Sequence, residues 1–340
     1  MILVVGGAGY IGSHVVKELV RRKQAVIVLD NLSTGHRQAV DKEAIFVQGD
    51  LGNRDDVERI FKEYSIDIVM HFAANSFVGE SVTEPLKYYE NNVAATLVLL
   101  KAMIEHRIKR FIFSSTAATY GIPSVDFITE ETPTNPINPY GRSKLMIEQM
   151  LADFAYAYQL EYIILRYFNA AGADESGEIG EDHTRETHLI PIVLQHLLGQ
   201  RESISVFGTD YPTFDGTCIR DYIHVTDLAR AHILALNALL ESHDTHICET
   251  YNLGNGQGYS VREIIKKCEE VTGKTANIKY AERRPGDPAI LVASSKKIEK
   301  ALGWKAVYTL EDIISTAWRW HRGNESGYEN RLGVHIHEST

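Results

Sequence analysis

The stretch that most constrains this chain lies within its first thirteen residues, MILVVGGAGYIGS, where a short apolar run meets a cluster of glycines. Ile2 to Val5 reads as a buried strand, and the pattern that follows (Val15, Val16, Leu19, Val20) reads as a helix. Between them glycines fall at Gly6, Gly9 and Gly12, with Gly7 extra. A glycine at the strand end permits the tight turn, a second lets backbone approach a pyrophosphate, and a third lets the helix pack close to the sheet. The helix N-terminus then offers unpaired N–H groups to a phosphate. Glycine patterns alone are weak. Set between a first strand and a first helix, with a second strand beyond, this one points to dinucleotide binding.

The next segments keep alternating. Ala25 to Leu29 is an apolar run ending in Asp30, and Ala44 to Gln48 gives a third strand ahead of Gly49-Asp50-Leu51. Asp55 to Phe61 is helical, Ile66 to His71 is the fourth strand, and Pro85 to Glu105 is expected as one long helix. Arg110 to Ser115, the helix Pro139 to Tyr158, and Glu161 to Tyr167 follow. Such alternation predicts an α/β fold of Rossmann type, a doubly wound parallel sheet with right-handed crossovers. From about Asn169 the pattern loosens, with loops expected over Gly172 to Thr187 and Asp210 to Asp221. Helices are expected at Leu189 to Leu198, Val225 to Leu240 and Ser260 to Val271, and Tyr251 to Gly254 looks like a return to the sheet. The expected organisation is a cofactor-binding unit over 1–168 with returns near 225–255, a smaller interleaved C-terminal α/β substrate unit mostly over 169–323, and a polar, frayed tail over 324–340.

Charge narrows the function classes. Lys and Arg number 35 against 45 Asp and Glu, a net charge of −10, which argues against non-specific binding to nucleic acid or to an anionic membrane. No apolar run reaches the roughly 18 residues of a membrane span. Cys218, Cys248 and Cys268 are widely spaced and odd in number, so a reducing, cytoplasmic setting is expected and no metal site is read from the sequence.

Four groups could carry chemistry. Asp30 closes the second strand about twenty residues after the glycine turn, where a carboxylate can bond both ribose hydroxyls and repel a 2′-phosphate. That favours NAD over NADP, although nearby Arg37 could accept a phosphate; a turn aspartate is the plainer alternative. Asp50 and Leu51 follow the third strand and could meet the adenine, or could simply close a turn. Ser114, Ser115 and Thr116 end the fifth strand, at the sheet edge where ligands of open α/β sheets bind, though taken alone strand-end capping is the commoner reading. Tyr140 and Lys144, four apart, share a helix face. A free tyrosine has a pKa near 10. A nearby ammonium and a cationic nicotinamide would both favour phenolate, and positioned acid–base work is worth roughly 10²–10⁴-fold. The plainer reading is a surface pair.

Together these features are more specific than any one of them. The strings GGAGYIGSH (6–14), DNLSTGH (30–36), HFAA (71–74), VGESV (78–82), YYENNV (88–93), SSTAATYG (114–121), NPYGRSKLMIEQ (138–149), LRYFNAAGA (165–173), GTDYPTFDGTCIRDYIHVTDLA (208–229), YNLGNGQGYSV (251–261) and RRPGD (283–287) cover nearly all but the tail. In them the chain resembles the extended short-chain dehydrogenase/reductases, in their NAD-dependent epimerase/dehydratase branch. The resemblance implies that tightly held NAD removes hydride from carbon 4 of a UDP-hexose, with Tyr140 as base, Lys144 beside it and Thr116 on the reacting oxygen. The keto-sugar would turn about its pyrophosphate link and take the hydride back on its other face, interconverting UDP-galactose and UDP-glucose.

The resemblance also assigns residues. Gly6, Gly9, Tyr10, Ile11, Gly12, Asp30, Asn31, Asp50, Leu51, Phe72, Ala73, Ala74, Asn91, Ser114, Tyr140, Lys144 and Tyr167 would hold NAD. Thr116, Asn169, His188, Leu189, Phe207, Arg220, Arg284, Asp287 and Leu291 would face the substrate, the two arginines at the diphosphate and Asp287 at the uridine ribose. Ser76 stands where some members carry a lysine that contacts the NAD diphosphate. Leu291 stands at a size gate, intermediate between the tyrosine associated with plain hexoses and the small residue associated with N-acetylated ones, which leaves UDP-N-acetylglucosamine open. Ala117 and Ala118 occupy the positions where related dehydratases have Asp-Glu, and they cannot transfer protons. Epimerases or decarboxylases of UDP-uronic acids, and a non-catalytic NAD-sensing protein, are the remaining alternatives. The helices at Pro85–Glu105 and Pro139–Tyr158 match a pair that relatives use for homodimerisation.

Overall fold

The computed structural model describes all residues except 126, 243–245, 285 and 330–340. The first half runs β1 (Ile2–Val5), α1 (Tyr10–Arg21), β2 (Val26–Asp30), β3 (Ile45–Gln48), α2 (Arg54–Glu63), β4 (Ile68–His71), α3 (Val78–Thr83), α4 (Pro85–Tyr88), α5 (Ala95–Glu105), β5 (Arg110–Thr116), α6 (Pro139–Tyr158) and β6 (Glu161–Tyr167). The second half runs β7 (Asn169–Ala171), α7 (Leu189–Leu197), β8 (Ile204–Phe207), β9 (Ile219–His224), α8 (Val225–Glu241), β10 (Cys248–Leu253), β11 (Gly258–Ser260), α9 (Val261–Thr272), β12 (Ile278–Ala281), β13 (Ile290–Leu291), α10 (Lys296–Leu302) and α11 (Leu310–Gly323).

Seven strands form one parallel sheet in the order β3-β2-β1-β4-β5-β6-β10. Its central strands are buried on both faces, which is why they read as unbroken apolar runs. The two faces separate by alternation. Ile2 and Val4 join Val15, Leu19, Leu228 and Leu236 under α1 and α8, while Leu3 and Val5 join Val57, Ile60, Leu99, Met103 and Leu151 under α2, α5 and α6. The order turns back between β1 and β4, so a crevice opens at the carboxyl edge. A second core gathers Val193, Leu194, Ile204, Tyr222, Ile264 and Ile313 beneath α7, α9 and α11.

Three expectations change. Pro85–Glu105 is not one regular helix, because a π-helical turn at Tyr89–Ala94 separates α4 from α5. Asn92 is buried in that turn. Its amide donates to the Asn75 carbonyl (3.0 Å) and Ser143 Oγ (3.0 Å), and its Oδ1 accepts from the Asn75 N–H (2.8 Å). Local widening lets one side chain satisfy partners on two other segments. Second, the stretch expected as a loop up to Asp221 contains the start of β9, which carries β7, β11 and β13 around it. Third, the start of the expected frayed tail is anchored at Tyr328. Tyr328 is buried, stacks on His36 and leans on Trp320 (centroids 4.8 Å in both cases), and its hydroxyl accepts from the Gly180 N–H at 3.1 Å. The rest of the expected tail lies outside the described residues.

Candidate active site

A cavity of about 1460 Å³ opens at the carboxyl edge of the sheet, and every residue assigned above to cofactor or substrate lines it. Pockets for single small molecules run to roughly 300–1,000 Å³, so this one has room for two nucleotides. One side of it is built from the sheet's strand ends, where the residues expected to hold the cofactor stand, and the other from the second half of the chain.

The glycine turn is tight where the sequence demands it. Gly6 has φ +81°, and a Cβ there would lie 2.4 Å from the Ala73 nitrogen. A Cβ on Gly12 would lie 2.2 Å from the Gly6 carbonyl oxygen, so that glycine sets how closely α1 meets β1. On Gly9 a Cβ would meet only the Gly6 oxygen, at 3.5 Å, and would fill the space a pyrophosphate needs. Gly9 caps α1 without a side-chain bond, and no acidic residue occupies the first turn. These groups fit a dinucleotide: free N–H groups face an open, glycine-lined cradle.

Asp30 is nearly buried. Its Oδ2 accepts from the Ala8 N–H (2.9 Å) and its Oδ1 from the Leu32 N–H (2.9 Å). Burial pushes its carboxyl above the usual range, and these two bonds oppose that. Arg37 turns elsewhere. Its guanidinium lies 4.6 Å above the Phe46 ring and bonds the Val40 carbonyl (3.4 Å), away from the cavity wall, so Arg37 does not offset Asp30 against a 2′-phosphate. Asn31 donates to Asp50 at 2.8 Å, joining the ends of β2 and β3 beside Leu51. Phe72, Ala73, Ala74, Asn91 and Ser76 complete this wall, with Tyr10 and Ile11 on the first turn of α1.

Tyr140 stands on the first turn of α6, behind Pro139 and the N-cap Asn138, whose Oδ1 accepts from the Gly141 N–H (2.8 Å). A Cβ on Gly141 would lie 2.5 Å from the Ala118 carbonyl oxygen. That missing side chain lets α6 approach the end of β5 and sets Tyr140 beside Thr116. Burial pushes the Tyr140 phenol up, and its bond with Thr116 draws it down. Lys144 is buried. Its ammonium donates to the Ser114 carbonyl (2.9 Å) and sits 4.8 Å from the Phe113 ring centroid. Burial pushes Lys144 down to about 7, against the pull of Glu148. The direct partner of Lys144 is thus the Ser114 carbonyl, while burial alone raises the Tyr140 phenol above its ordinary value.

Several supporting residues were not anticipated. Glu148 continues the Tyr140–Lys144 helix face by one more turn. It accepts from Ser115 Oγ (2.5 Å) and Arg166 Nε (3.0 Å), and Arg166 also donates to the Tyr120 hydroxyl (2.8 Å). The Ser115 hydroxyl is thus spent on a buried network, while Thr116 Oγ1 accepts from the Ala118 N–H (3.1 Å) and also bonds Tyr140. Ser143 Oγ ties α6 to Asn92. The Tyr167 hydroxyl meets His232 Nε2 at 2.5 Å.

On the substrate side, Arg220 and Asp287 form one unit: Nη2 donates to Oδ1 at 3.0 Å, and Nη1 bonds the carbonyls of Ile219 and Pro288 (2.8 Å each). Arg284 lies over Phe207, 4.1 Å from its centroid. Asn169 starts β7, Leu291 ends β13, and His188 caps α7 ahead of Leu189. Asp221 is buried between these groups and the sheet. It accepts from the N–H groups of Asn255 (2.7 Å), Gly256 (3.0 Å) and Ala293 (3.1 Å), and burial lifts its carboxyl to about 7 against those bonds.

A profile of the NAD dependent epimerase/dehydratase family matches residues 2–254. The chain belongs to that family. It is 54% identical to a UDP-glucose 4-epimerase of Halalkalibacterium halodurans over 328 residues, 96% of this chain and 97% of the relative. Among solved structures, a UDP-glucose 4-epimerase with 54% identity superposes with a TM-score of 0.94, covering 96% of this chain and 99% of the other. The Bifidobacterium longum UDP-glucose 4-epimerase in complex with NAD+ and UDP is 42% identical, with a TM-score of 0.90 over 96% of this chain and 99% of that one. The family fold is the seven-stranded sheet described above, and the family cofactor is the one that the glycine cradle fits.

Proposed function

We propose that this chain interconverts UDP-galactose and UDP-glucose by transient oxidation at carbon 4 of the sugar. The carrying observation is the bond of Tyr140 with Thr116 in the cavity wall, with Lys144 one turn further along α6 at the Ser114 carbonyl and Ala117 and Ala118 following Thr116. When bound, NAD supplies the hydride acceptor and a positive charge that favours the Tyr140 phenolate. Tyr140 then takes the proton of the sugar 4-hydroxyl and later returns it. Thr116 donates to the same oxygen and keeps it aligned with Tyr140. Ala117 and Ala118 cannot move protons, so nothing beside Thr116 drives loss of water. Arg220 and Arg284 hold the diphosphate, where planar guanidinium groups suit phosphate oxygens. Asp287 holds Arg220 and faces the uridine ribose. With the nucleotide anchored, the sugar can present either face to the cofactor. Net redox is zero, so protein purified with its NAD is expected to interconvert the two UDP-hexoses without added cofactor. Activity confined to UDP-glucuronate, or NAD binding without turnover, would overturn this reading.

The seven-stranded layer serves the cofactor and the elements after β6 serve the substrate. Leu291 faces the cavity with no hydroxyl and less bulk than tyrosine, which supports acceptance of N-acetylated UDP-hexoses as well. Comparing both substrate pairs in Leu291→Tyr, with selective loss of the N-acetylated pair expected, tests the gate. A homodimer through the Pro85–Glu105 stretch and α6 is supported by Leu86 on α4, Leu97 on α5 and Met146 on α6, which expose 67%, 48% and 45% of their surface. Sedimentation as a monomer would remove it. The three unpaired cysteines support a cytoplasmic setting, and none of the described helices is long and apolar enough to cross a membrane.

A further inference from the structure

The segment that leads into α7, Glu181-Asp182-His183-Thr184-Arg185-Glu186-Thr187-His188, brings two carboxylates and two imidazoles to one point. One ligand atom from each of Glu181, His183, Glu186 and His188 lies within 4.8 Å of the other three, the one such group among the described residues. His183 Nδ1 is buried and has no hydrogen-bond partner, yet it lies 3.4 Å from Glu181 Oε1 and 3.4 Å from Glu186 Oε2. His188 Nδ1 contacts Glu181 Oε1 and lies 3.8 Å from Glu186 Oε1. Most of these separations are long for hydrogen bonds. The two 3.4 Å separations suit the edges of a ligand tetrahedron, since four donors at 2.0–2.1 Å from Zn²⁺ stand about 3.4 Å apart, whereas the His188–Glu181 contact is shorter than such an edge.

Charge and support agree with the geometry. The Glu181 and Glu186 side chains are 3% and 2% exposed, and two buried carboxylates require a counter-charge. Glu186 Oε1 is oriented by the N–H groups of Thr187 and His188 (2.7 Å each), which leaves Oε2 turned toward His183. Trp320 Nε1 donates to the Glu181 carbonyl at 3.0 Å, so α11 supports the segment from behind. Such outer bonds orient the side chains that ligate. Imidazole with carboxylate suits Zn²⁺-class ions better than hard cations such as Mg²⁺.

We propose that Glu181, His183, Glu186 and His188 bind one divalent transition ion of the Zn²⁺ class in the cavity wall, as a staple that fixes the entry to α7. The ion takes no part in proton transfer. It joins the two ends of an eight-residue segment and so sets where His188 and Leu189 stand. The proposal does not depend on which sugar is turned over.

The test uses tag-free holoenzyme, stripped with a chelator and titrated with Co²⁺. One Co²⁺ per chain is expected, with the visible d–d absorption of a four-coordinate site, displaced by one equivalent of Zn²⁺. His183→Asn and Glu186→Gln, each checked for native circular dichroism, should lose that band. The proposal is overturned if the unmodified protein takes up no stoichiometric Co²⁺, in which case a proton shared by His188 and Glu181 is the occupant. It is equally overturned if both variants keep the band. The first readout does not depend on either variant folding.

Discussion

The two walls of the cavity are made differently. The cofactor wall is the edge of a regular sheet whose strands run four to seven residues, and its groups are largely backbone: N–H groups of α1, glycines, a strand-end carboxylate. The substrate wall hangs on β7, β9 and β13, of three, six and two residues, and its polar groups are side chains that bond one another, as Arg220 and Asp287 do. The difference matches the two tasks proposed for these walls. A cofactor that stays through every turnover suits fixed dipoles that need no rearrangement. A substrate that enters, turns over and leaves suits side chains that can exchange partners.

That division can be broken experimentally. The largest effect is expected from Tyr140→Phe, which should lower kcat by roughly 10²–10⁴-fold while NAD and UDP still bind; near-normal turnover would remove the proposed base. Next is Lys144→Met, read by urea unfolding against pH. Burial holds Lys144 near 7, far below the 10.5 of a free lysine. Between those values the unfolded chain binds a proton that the folded chain does not, so this group makes stability rise with pH, and its full penalty applies below about 7. The variant should therefore be the more stable protein at pH 6, by a few kcal/mol, with the difference closing toward pH 10; parallel curves would refute the shift. Asp30→Ala should weaken NAD binding by roughly 10- to 100-fold, as expected for hydrogen bonds to a charged group worth about 1.5–3 kcal/mol, and leave KM for the UDP-sugar unchanged. Arg220→Lys should do the reverse, raising KM about 10-fold through loss of the planar fork with NAD retained. If either variant moves both parameters together, the walls are not independent. The smallest effect is expected from Ser76→Lys, a few-fold slower NAD loss, in line with the roughly 0.2–1 kcal/mol of an exposed ion pair and measured by fluorescence during dialysis.

The same contrast decides what could be read from the chain. β1, β2 and β4 carry their own signal, because strands buried on both faces are continuous apolar runs, and α6 and β6 begin and end at the residues expected. Tyr140 and Lys144 were found because helical spacing is local; Glu148 lay on the same face one turn further and would have been found by extending it. Asn92 was not legible, since nothing in a run of helix formers announces a π-helical turn whose buried side chain bonds Ser143, fifty-one residues away. β7, β8 and β13 are too short to show a period, and pairing with distant strands makes them what they are. Tyr328 looked like part of a polar tail, because its partners His36, Gly180 and Trp320 are supplied by three other segments. The E-x-H-x-x-E-x-H spacing at 181–188 was visible too, but a search keyed to cysteine passes over it.

The seventh strand, β10, arrives late. It pairs with β6, which ends at Tyr167, yet it begins at Cys248. At about 5–20 residues per second, a ribosome takes several seconds to make the intervening stretch, and through that interval β6 presents an open edge with apolar Ile163 and Leu165 beside it. α8, which covers the adjoining face, is made in the same interval. An open apolar edge is a template for pairing with another chain. A nascent chain stalled between 168 and 248 is therefore the form of this protein most in need of a chaperone, and shortened products ending there should partition into aggregates while the full chain does not.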